Sequence, residues 1–264
     1  DYYYWVALKH FKFVLVCKQL ASNVSHSGAL LQSIIDYAIN ETSKASPNLS
    51  NLEFALKIVS NCCSCIEGRI LVKKLPMLDT LSRLHPQVTR NQKPWPQITL
   101  MWLELFEVLT RYEDSNKATH INLLVNFAES KSKRLRQQAL EILRNMTFNT
   151  ENRNTFLYSK PFINIVILTL DRNIPAEQLF IIISIWKLIA NNHKAKNIIK
   201  NGPIHQKLRR LKESVDFSSN DNKQSLNLSQ DNQFDSLKEE TTEDLLMALN
   251  SGSKPIFDFL TPNE

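Results

Sequence analysis

Cysteines are the residues in this 264-residue chain whose spacing most suggests chemistry. Three of the four, Cys62, Cys63 and Cys65, are crowded into one stretch, and the fourth is Cys17. A closed zinc site needs four ligands in a tetrahedron, and this stretch supplies three at poor spacing, with only Cys17 and His85 available to complete the set. We therefore interpret these thiols as small apolar core residues and expect no metal site.

The other residue types used in catalysis are scattered along the chain. The six histidines show no His-x-x-x-His spacing, no Cys or Ser is placed as an evident nucleophile, and no glycine-rich loop could cradle a phosphate. The few cysteines do not form a disulfide framework either, which indicates a cytosolic protein. We therefore expect no enzymatic activity, no catalytic residue and no cofactor.

The glycine content separates the possible fold classes. Only 4 Gly occur, too few for the turns of β-sandwiches or of nucleotide-binding α/β folds, while 43% of the residues are apolar. Apolar residues recur at helical spacing, and the longest uncharged apolar stretch, Gln178 to Trp186, is far too short to span a bilayer. The composition favours an all-α fold and no membrane partner.

One helical pattern recurs along the chain. It reads Leu-x-x-aliphatic-x-Asn at 56–61 and 140–145, has Trp in place of Leu at 186–191, and has Thr in place of Asn at 105–110. The final positions, 61, 110, 145 and 191, are 49, 35 and 46 residues apart. Armadillo and HEAT units are roughly 40–47 residues long. We therefore predict an armadillo- or HEAT-like α-solenoid over residues 1–213. Helical spacing assigns the first position of the pattern, held by Leu56, Leu140 and Trp186, to the core.

Local signals predict where some of these helices begin. Pro76, Pro161 and Pro203 each precede an apolar residue, which suits the first turn of a helix because the missing N–H is not needed there. Ser50 and Glu53 have the spacing of a capping box, so we expect Ser50 to start another helix.

Charge divides the chain into a basic body and an acidic tail. The net charge is +6, but residues 214–264 contain three Lys and ten Asp or Glu, so this tail carries −7 and residues 1–213 carry +13. The tail is rich in Ser, Asn, Asp and Gln up to about residue 232, which predicts disorder from residue 215. A short helix is expected near 236–250. The tail could shield the basic body, dock on another protein or act as a passive tether.

Two stretches of the chain resemble known repeat proteins. The first is similar to an armadillo repeat and reads ALEILRNMTFNTENRNTFLYSKPFINIVILTL, and the second reads SIWKLIANNHKAKNIIKNGPIHQKLRRLKE. Together they resemble the C-terminal armadillo-like region of the rotatin (anastral-spindle) family, most clearly over residues 134–213. The resemblance implies a cytoplasmic, cytoskeletal protein of the centrosome, the centriole and the basal body of the cilium. It also implies centriolar or other cytoskeletal partners and a role in centriole assembly, elongation or maturation and in ciliogenesis.

The resemblance also suggests candidate binding residues. Armadillo proteins that bind extended peptides show an Asn from the third helix of each repeat to a groove, with a Trp one turn earlier. The Asn position is held here by Asn61, Asn145 and Asn191, and the Trp position by Lys57, Glu141 and Lys187. The aromatic side chains that would form the walls of a peptide groove are therefore missing from these positions, which weakens the peptide-groove hypothesis. The alternative is that these Asn residues end helices, since Asn tolerates the left-handed conformation and can bond free carbonyls.

Basic residues concentrate near the end of the body. The basic candidates for partner binding are Lys187, Lys194, Lys196, Lys200, Lys207, Arg209 and Arg210, and a second basic run extends from Lys131 to Arg136. Such runs usually form a solvated face, but they could also bind an acidic protein segment. Aromatic residues are not interleaved with the charges, so nucleic acid is the weaker alternative.

The sequence supports two functional hypotheses. The first is a non-catalytic scaffold whose extended surface recruits other proteins. The second is a helical-repeat transport adaptor or a nucleic-acid-associated protein that uses its basic face. The salt dependence of binding separates them, because phosphate contacts weaken steeply with salt and an apolar protein interface does not. Both hypotheses leave the oligomeric state open.

Overall fold

The described part of the chain is built from helices. The structure, a computed structural model, describes residues 28–42, 44, 48–63, 96–110, 120–172, 174–221 and 242–249. Within these residues every regular element is an α-helix or a short 3-10 helix, which confirms the predicted all-α class. The chain divides into two compact units, Asp1–Ser115 and Asn116–Glu264.

Three helices are described in the first unit. They are α1 (Gly28–Thr42), α2 (Leu49–Cys62) and α3 (Pro96–Thr110), and α2 packs against both of the others. Leu56, the first residue of the recurring pattern in α2, is buried as predicted, and Leu105 at the matching position of α3 is buried too. The Trp102 and Phe106 rings lie 5.3 Å apart at the centre of α3.

The start of α2 differs from the prediction. The N-cap is Asn48, whose Oδ1 accepts a hydrogen bond from the backbone N–H of Asn51 at 3.1 Å, so the proposed capping box at Ser50 and Glu53 is wrong. Glu41, at the end of α1, accepts the backbone N–H of Asn48 at 2.5 Å and forms an ion pair with Lys44. This contact fixes the chain where it enters α2, and the helix therefore begins earlier than the sequence pattern indicated.

Eight α-helices are described in the second unit. They are α4 (Ile121–Ala128), α5 (Lys133–Phe148), α6 (Arg153–Tyr158), α7 (Lys160–Asp171), α8 (Pro175–Ile189), α9 (His193–Lys200), α10 (Pro203–Asp221) and α11 (242–249). A 3-10 turn, Thr150–Asn152, precedes α6. The order of a short, a middle and a long helix, which α6, α7 and α8 display, is the arrangement expected of one armadillo repeat.

Helix α8 is the central element of the second unit. It packs against α5, α6, α7 and α9, while α7 also packs against α4 and α10. Since neighbours surround α8, most of its length is buried, including Trp186. Leu140, at the matching position of α5, is buried as well. The recurring pattern therefore marks core positions, as the sequence predicted.

The predicted helix starts are confirmed where the structure describes them. Pro161 lies in the first turn of α7, whose N-cap is Ser159, and Pro203 is the first residue of α10. Pro76 lies outside the described residues. The prolines suit these positions because the first backbone N–H groups of a helix have no partner within it.

A buried ion pair joins α5 to α8. Glu177, in the first turn of α8, is 0% exposed, and Arg136, in the first turn of α5, is 9% exposed. The Arg136 Nε lies 2.9 and 2.8 Å from the two Glu177 carboxylate oxygens, and its Nη2 lies 2.7 Å from Oε1. Neither interpretation of the run from Lys131 to Arg136, a solvated face or a site for an acidic segment, holds for Arg136, because its charge is paired inside the unit.

The same ion pair is surrounded by bonds to helix ends. Arg136 donates from Nη1 to the carbonyl oxygen of Ser130 at 3.1 Å, and Arg172 donates to that of Ala128 at 3.1 Å. Gln178 donates to the carbonyl oxygens of Leu170 and Arg172 at 3.0 and 2.7 Å. These bonds satisfy carbonyls at the ends of α4 and α7, so they connect the turn before α5 to the turn before α8.

The second unit extends beyond the predicted end of the helical body. Residues 215–221, for which disorder was predicted, belong to α10. The chain has no Gly or Pro between Pro203 and Gly252, so nothing at residue 214 terminates the helix. None of the described helices has the length and apolar character needed to cross a membrane.

Candidate protein-binding surface

Two helices of the second unit place half-exposed cations against aromatic rings. The guanidinium carbon of Arg144 lies 5.1 Å from the centre of the Phe180 ring, and the Nζ of Lys187 lies 4.5 Å from that of Phe148. Each contact joins α5 to α8, because Arg144 and Phe148 belong to α5 while Phe180 and Lys187 belong to α8. We name these four residues, together with Glu141, the α5–α8 face.

Arg144 is held in place by several groups of this face. Its Nη2 lies 3.3 Å from the Oε1 of Glu141, and its Nη2 and Nε donate to the Oδ1 of Asn145 at 2.9 and 3.3 Å. The Arg144 and Glu141 side chains remain 22% and 32% exposed. A cation over an aromatic ring contributes about 0.5–1 kcal/mol at such a site. The guanidinium is therefore oriented before any partner arrives.

The three candidate Asn residues have different environments. Asn145 is buried, and its side-chain oxygen accepts the two hydrogen bonds from Arg144. Asn191 is exposed, directly follows the C-cap of α8, and has φ of 53°. Asn61 lies near the end of α2 in the other unit. The structure therefore gives Asn145 a positioning contact with Arg144 and gives Asn191 the left-handed conformation that commonly follows a helix.

The Arg153 side chain caps the C-terminal end of α8 beside Asn191. Its Nη1 donates to the carbonyl oxygen of Ala190 at 2.9 Å, which satisfies one of the free carbonyls at this helix terminus. Burial lowers the pKa of Arg153 from its ordinary value, but arginine stays protonated at any physiological pH. The first helix of the repeat thus fixes the last turn of the third helix, where Lys187 lies.

The basic residues of α9 and α10 that were candidates for partner binding divide into two groups. Lys207 forms an ion pair with Asp171, at 2.5 and 2.7 Å from its two oxygens, and the Nζ of Lys194 lies 5.4 Å from the centre of the Tyr158 ring. Four others make no ion pair with any described residue: Lys196, Lys200, Arg209 and Arg210. We name these four the α9–α10 cations, and they are the positive charges that this end of the unit can offer to an acidic partner.

His205 lies among these charges at the start of α10. Burial lowers its pKa, and the nearby charges of Arg209 and Lys200 lower it further. Its Nε2 is buried and has no hydrogen-bond partner within the described residues. The lowered pKa favours the neutral imidazole, because protonation would add a charge where two cations already lie.

The described residues offer little catalytic or metal chemistry. Cys62 and Cys63 are buried free thiols at the end of α2, and no three His, Cys, Asp or Glu side chains in the described ranges are grouped to hold a metal ion. Cys17, Cys65 and His85 lie outside those ranges. An open depression between α4 and α6 has no acidic or imidazole side chain among its described lining residues, which include Asn122, Asn154 and Lys160.

Comparison with known proteins identifies a relative by sequence. The chain is 29% identical to the protein rotatin homolog of Drosophila melanogaster over 232 residues. The resemblance to rotatins is confirmed. The similar region covers 79% of this chain but only 12% of the length of that rotatin homolog. The chain matches no model of a known protein family.

Solved structures confirm the type of fold. A designed armadillo repeat protein superposes with a TM-score of 0.54 and 12% identity, covering 92% of this chain and 100% of its own. An engineered protein from a structural genomics consortium superposes with a TM-score of 0.58 and 9% identity, covering 92% of this chain and 97% of its own. At such low identity the likeness shows the fold alone, and the rotatin-like chain therefore has an armadillo-like all-α fold.

Sequence reasoning identified only part of the α5–α8 face. It named Lys187 and Glu141 but missed Arg144, Phe148 and Phe180. It also selected Asn145, which lies outside this face and holds Arg144 from the buried side. A signal was present, because Arg144 and Phe148 are four residues apart and Phe180 and Lys187 seven apart, spacings that place each pair on one side of a helix. The sequence did not indicate that the two sides meet, since that depends on how α5 packs against α8.

Asn191 gives a direct test of its conformational role. Asn191→Gly should keep the free energy of unfolding within a few tenths of a kcal/mol, whereas Asn191→Ala should lower it by about 1 kcal/mol, because only glycine adopts positive φ without a steric cost. Urea unfolding of the two variants measures the difference. Equal losses in both variants would show that the amide, and not the backbone conformation, is what the protein requires.

His205 predicts a specific dependence of stability on pH. Because its pKa is lowered in the folded state, the unfolded chain binds more protons, so the stability due to His205 is present above about pH 6.5 and declines as the pH falls below it. His205→Gln should therefore reduce the loss of stability between pH 7.5 and pH 5.5 in urea unfolding. Arg209→Gln should reduce it to a smaller extent. An unchanged pH profile in His205→Gln would contradict the assignment.

Proposed function

We propose that this chain is a non-catalytic protein-interaction scaffold within a rotatin-like protein that acts in centriole and basal-body assembly, elongation or maturation and in ciliogenesis. The observation that carries the proposal is the sequence similarity to a rotatin homolog, which extends over most of this chain. The armadillo-like fold supports it, because stacked helical repeats offer long surfaces to other proteins.

The proposed location and partners follow from the rotatin resemblance. We infer a cytoplasmic, cytoskeletal location at the centrosome, the centriole and the basal body of the cilium, with partners among centriolar or other cytoskeletal proteins. The chain corresponds to about an eighth of the rotatin homolog's length, so it would contribute one binding region to a much larger assembly factor.

The α5–α8 face is the surface that we propose for the partner. Arg144 is already oriented by Glu141, Asn145 and Phe180, so binding costs little side-chain entropy. Arginine is prominent among the residues that dominate protein interfaces, and its planar guanidinium suits a carboxylate. The partially exposed Phe148 and Phe180 rings add apolar area. A segment that combines an acidic with an apolar side chain fits this face.

The α9–α10 cations support an acidic partner from the same unit. Charges without an ion pair attract an oppositely charged segment at long range and raise its association rate. The same cations are the feature that favours the alternative, a nucleic-acid-associated protein or a transport adaptor. A stacking surface for bases needs several exposed rings, whereas Tyr158 is the strongly exposed aromatic residue within the described ranges. The protein-scaffold function is therefore the better supported.

Localisation of the chain in cells tests the proposal. The chain, fused to a fluorescent protein and expressed in ciliated cells, should be enriched at centrioles. The double variant Arg144→Glu/Lys187→Glu should lose that enrichment while keeping its helical circular dichroism spectrum, because it reverses both cations of the α5–α8 face. Lys131→Glu/Lys133→Glu provides the matched control, since both residues are exposed, Lys133 is the first residue of α5 and Lys131 lies in the turn before it.

Two results would contradict the proposal. A diffuse distribution of the unmodified chain would remove the centriolar role, and equal enrichment of both double variants would exclude the α5–α8 face as the binding surface. RNA binding measured by fluorescence anisotropy between 50 and 200 mM salt distinguishes the alternative, because about six or more phosphate contacts would weaken binding by roughly a thousandfold over that range.

A further inference from the structure

If the helical body ended with α10, the last repeat of the second unit would lack a third helix. Helices α6, α7 and α8 form a sequence of short, middle and long elements. Helices α9 and α10 follow with 8 and 19 residues, so they continue the order of helices along the chain without repeating its order of lengths. Among the described residues, the next helix is α11, at 242–249, in the acidic segment that the composition alone marks as a tail.

We propose that α11 is the third helix of this last repeat, and that residues 222–241 are an insertion between its second and third helices. Part of the acidic segment, α11, is then a structural element that forms the last helix of the unit. The inference is independent of the proposed function, because it concerns which residues make up the folded unit and not what the unit binds.

The burial of α11 is the first observation that supports this assignment. Leu245, Leu246 and Leu249 are buried, together with Thr242, and these four positions lie on one side of a helix. Met247, on the opposite side, is 55% exposed. An isolated helix of eight residues is not stable in water, so α11 depends on the surface that covers its leucines.

An ion pair locates the helix beside α10. The Nζ of Lys212 lies 2.7 Å from the Oε1 of Glu243. Because both side chains are substantially exposed, the pair contributes little to stability, but it shows which helix is the neighbour. Lys207 and Asp171 connect α10 to α7 in the same manner. Helix α10 thus contacts the second helix of the preceding repeat on one side and α11 on another.

The sequence of α11 continues the recurring pattern. Residues 245–250, which begin in α11, read Leu-x-x-Ala-x-Asn, and this matches residues 140–145 of α5 and residues 186–191 at the end of α8. The first and fourth positions of the pattern are buried in α5, α8 and α11 alike. The match extends the array of third helices from two members in this unit to three.

Burial differs at the second, third and fifth positions of the pattern. Leu246 and Leu249 are buried, whereas the second and fifth positions of the other two copies are half-buried. The exposed third position fits the end of an array. Met247 is 55% exposed, whereas its counterparts Ile142 and Leu188 are 0% and 1% exposed. Helix α5 packs against α4 and α8, and α8 packs against α5, α6, α7 and α9, so both are covered by more than one helix. The outer side of α11 carries Glu243 and Met247 and remains exposed. Terminal repeats characteristically present such a partly polar outer face.

Hydrogen exchange of the complete 264-residue chain, followed by mass spectrometry, tests the assignment. In the unmodified chain the amides of α11 should be protected. Leu245→Ala should accelerate exchange by about tenfold or more both in α11 and in α10 from Ile204 to Lys212, because the two helices belong to one repeat. Met247→Ala is the matched control and should change neither helix by more than about twofold, since truncating an exposed side chain opens no cavity.

Further outcomes of this experiment decide against the proposal. Unprotected α11 amides in the unmodified chain would show that the segment is a tether. Acceleration in α11 alone, with α10 unchanged, would show a separately docked segment and not a member of the repeat. Replacing residues 222–241 by a Gly-Ser sequence of the same length should preserve the protection of α11, and its loss would contradict the assignment of 222–241 as an insertion.

Discussion

The fully buried carboxylate of Glu177 is the constraint on which the arrangement of the second unit depends. A charge removed from water is tolerated only when opposite charges and hydrogen bonds compensate for the lost hydration. Arg136 provides that compensation through three close contacts, and Arg172 lies 3.8 Å away on another side. Since Arg136 also binds the Ser130 carbonyl, the start of α8 can occupy only a position that keeps all of these groups together.

This fixed position determines the geometry of the α5–α8 face. Arg136 and Arg144 lie on the same helix about two turns apart, and Glu177 and Phe180 are separated by one turn of α8. Once the ion pair aligns the starts of the two helices, Arg144 lies over Phe180 and Lys187 over Phe148. The proposed binding surface is therefore a consequence of a buried contact that no partner touches.

The sequence predicted those features that depend on local spacing. The all-α class followed from the scarcity of glycine and the helical recurrence of apolar residues. The burial of Trp186 and Leu140 and the helix starts at Pro161 and Pro203 followed from the repeated pattern. These properties depend only on residues that lie close together in the sequence of one helix, so the sequence pattern was sufficient to predict them.

The features that the sequence missed depend on distant residues. Arg136 and Glu177 are 41 positions apart, so nothing next to Arg136 distinguished it from the exposed Lys131 and Lys133. The cap of α2 is fixed by Glu41 of the preceding helix, which a search for a capping box does not consider. The composition of the region after residue 214 suggested disorder. The helix nevertheless continues to Asp221, because no Gly or Pro ends it.

A double-mutant cycle on Arg136 and Glu177 tests most directly whether this ion pair holds α5 and α8 together. In a chain whose other three tryptophans are replaced by Phe, the fluorescence of Trp186 during urea unfolding reports on the second unit. Arg136→Met and Glu177→Leu should each lower the free energy of unfolding by about 3–5 kcal/mol, because each leaves an unpaired buried charge. The double variant should be more stable than the sum of the two losses predicts, by about 2 kcal/mol or more, since no unpaired charge remains. Small single effects, or losses that simply add, would contradict the account.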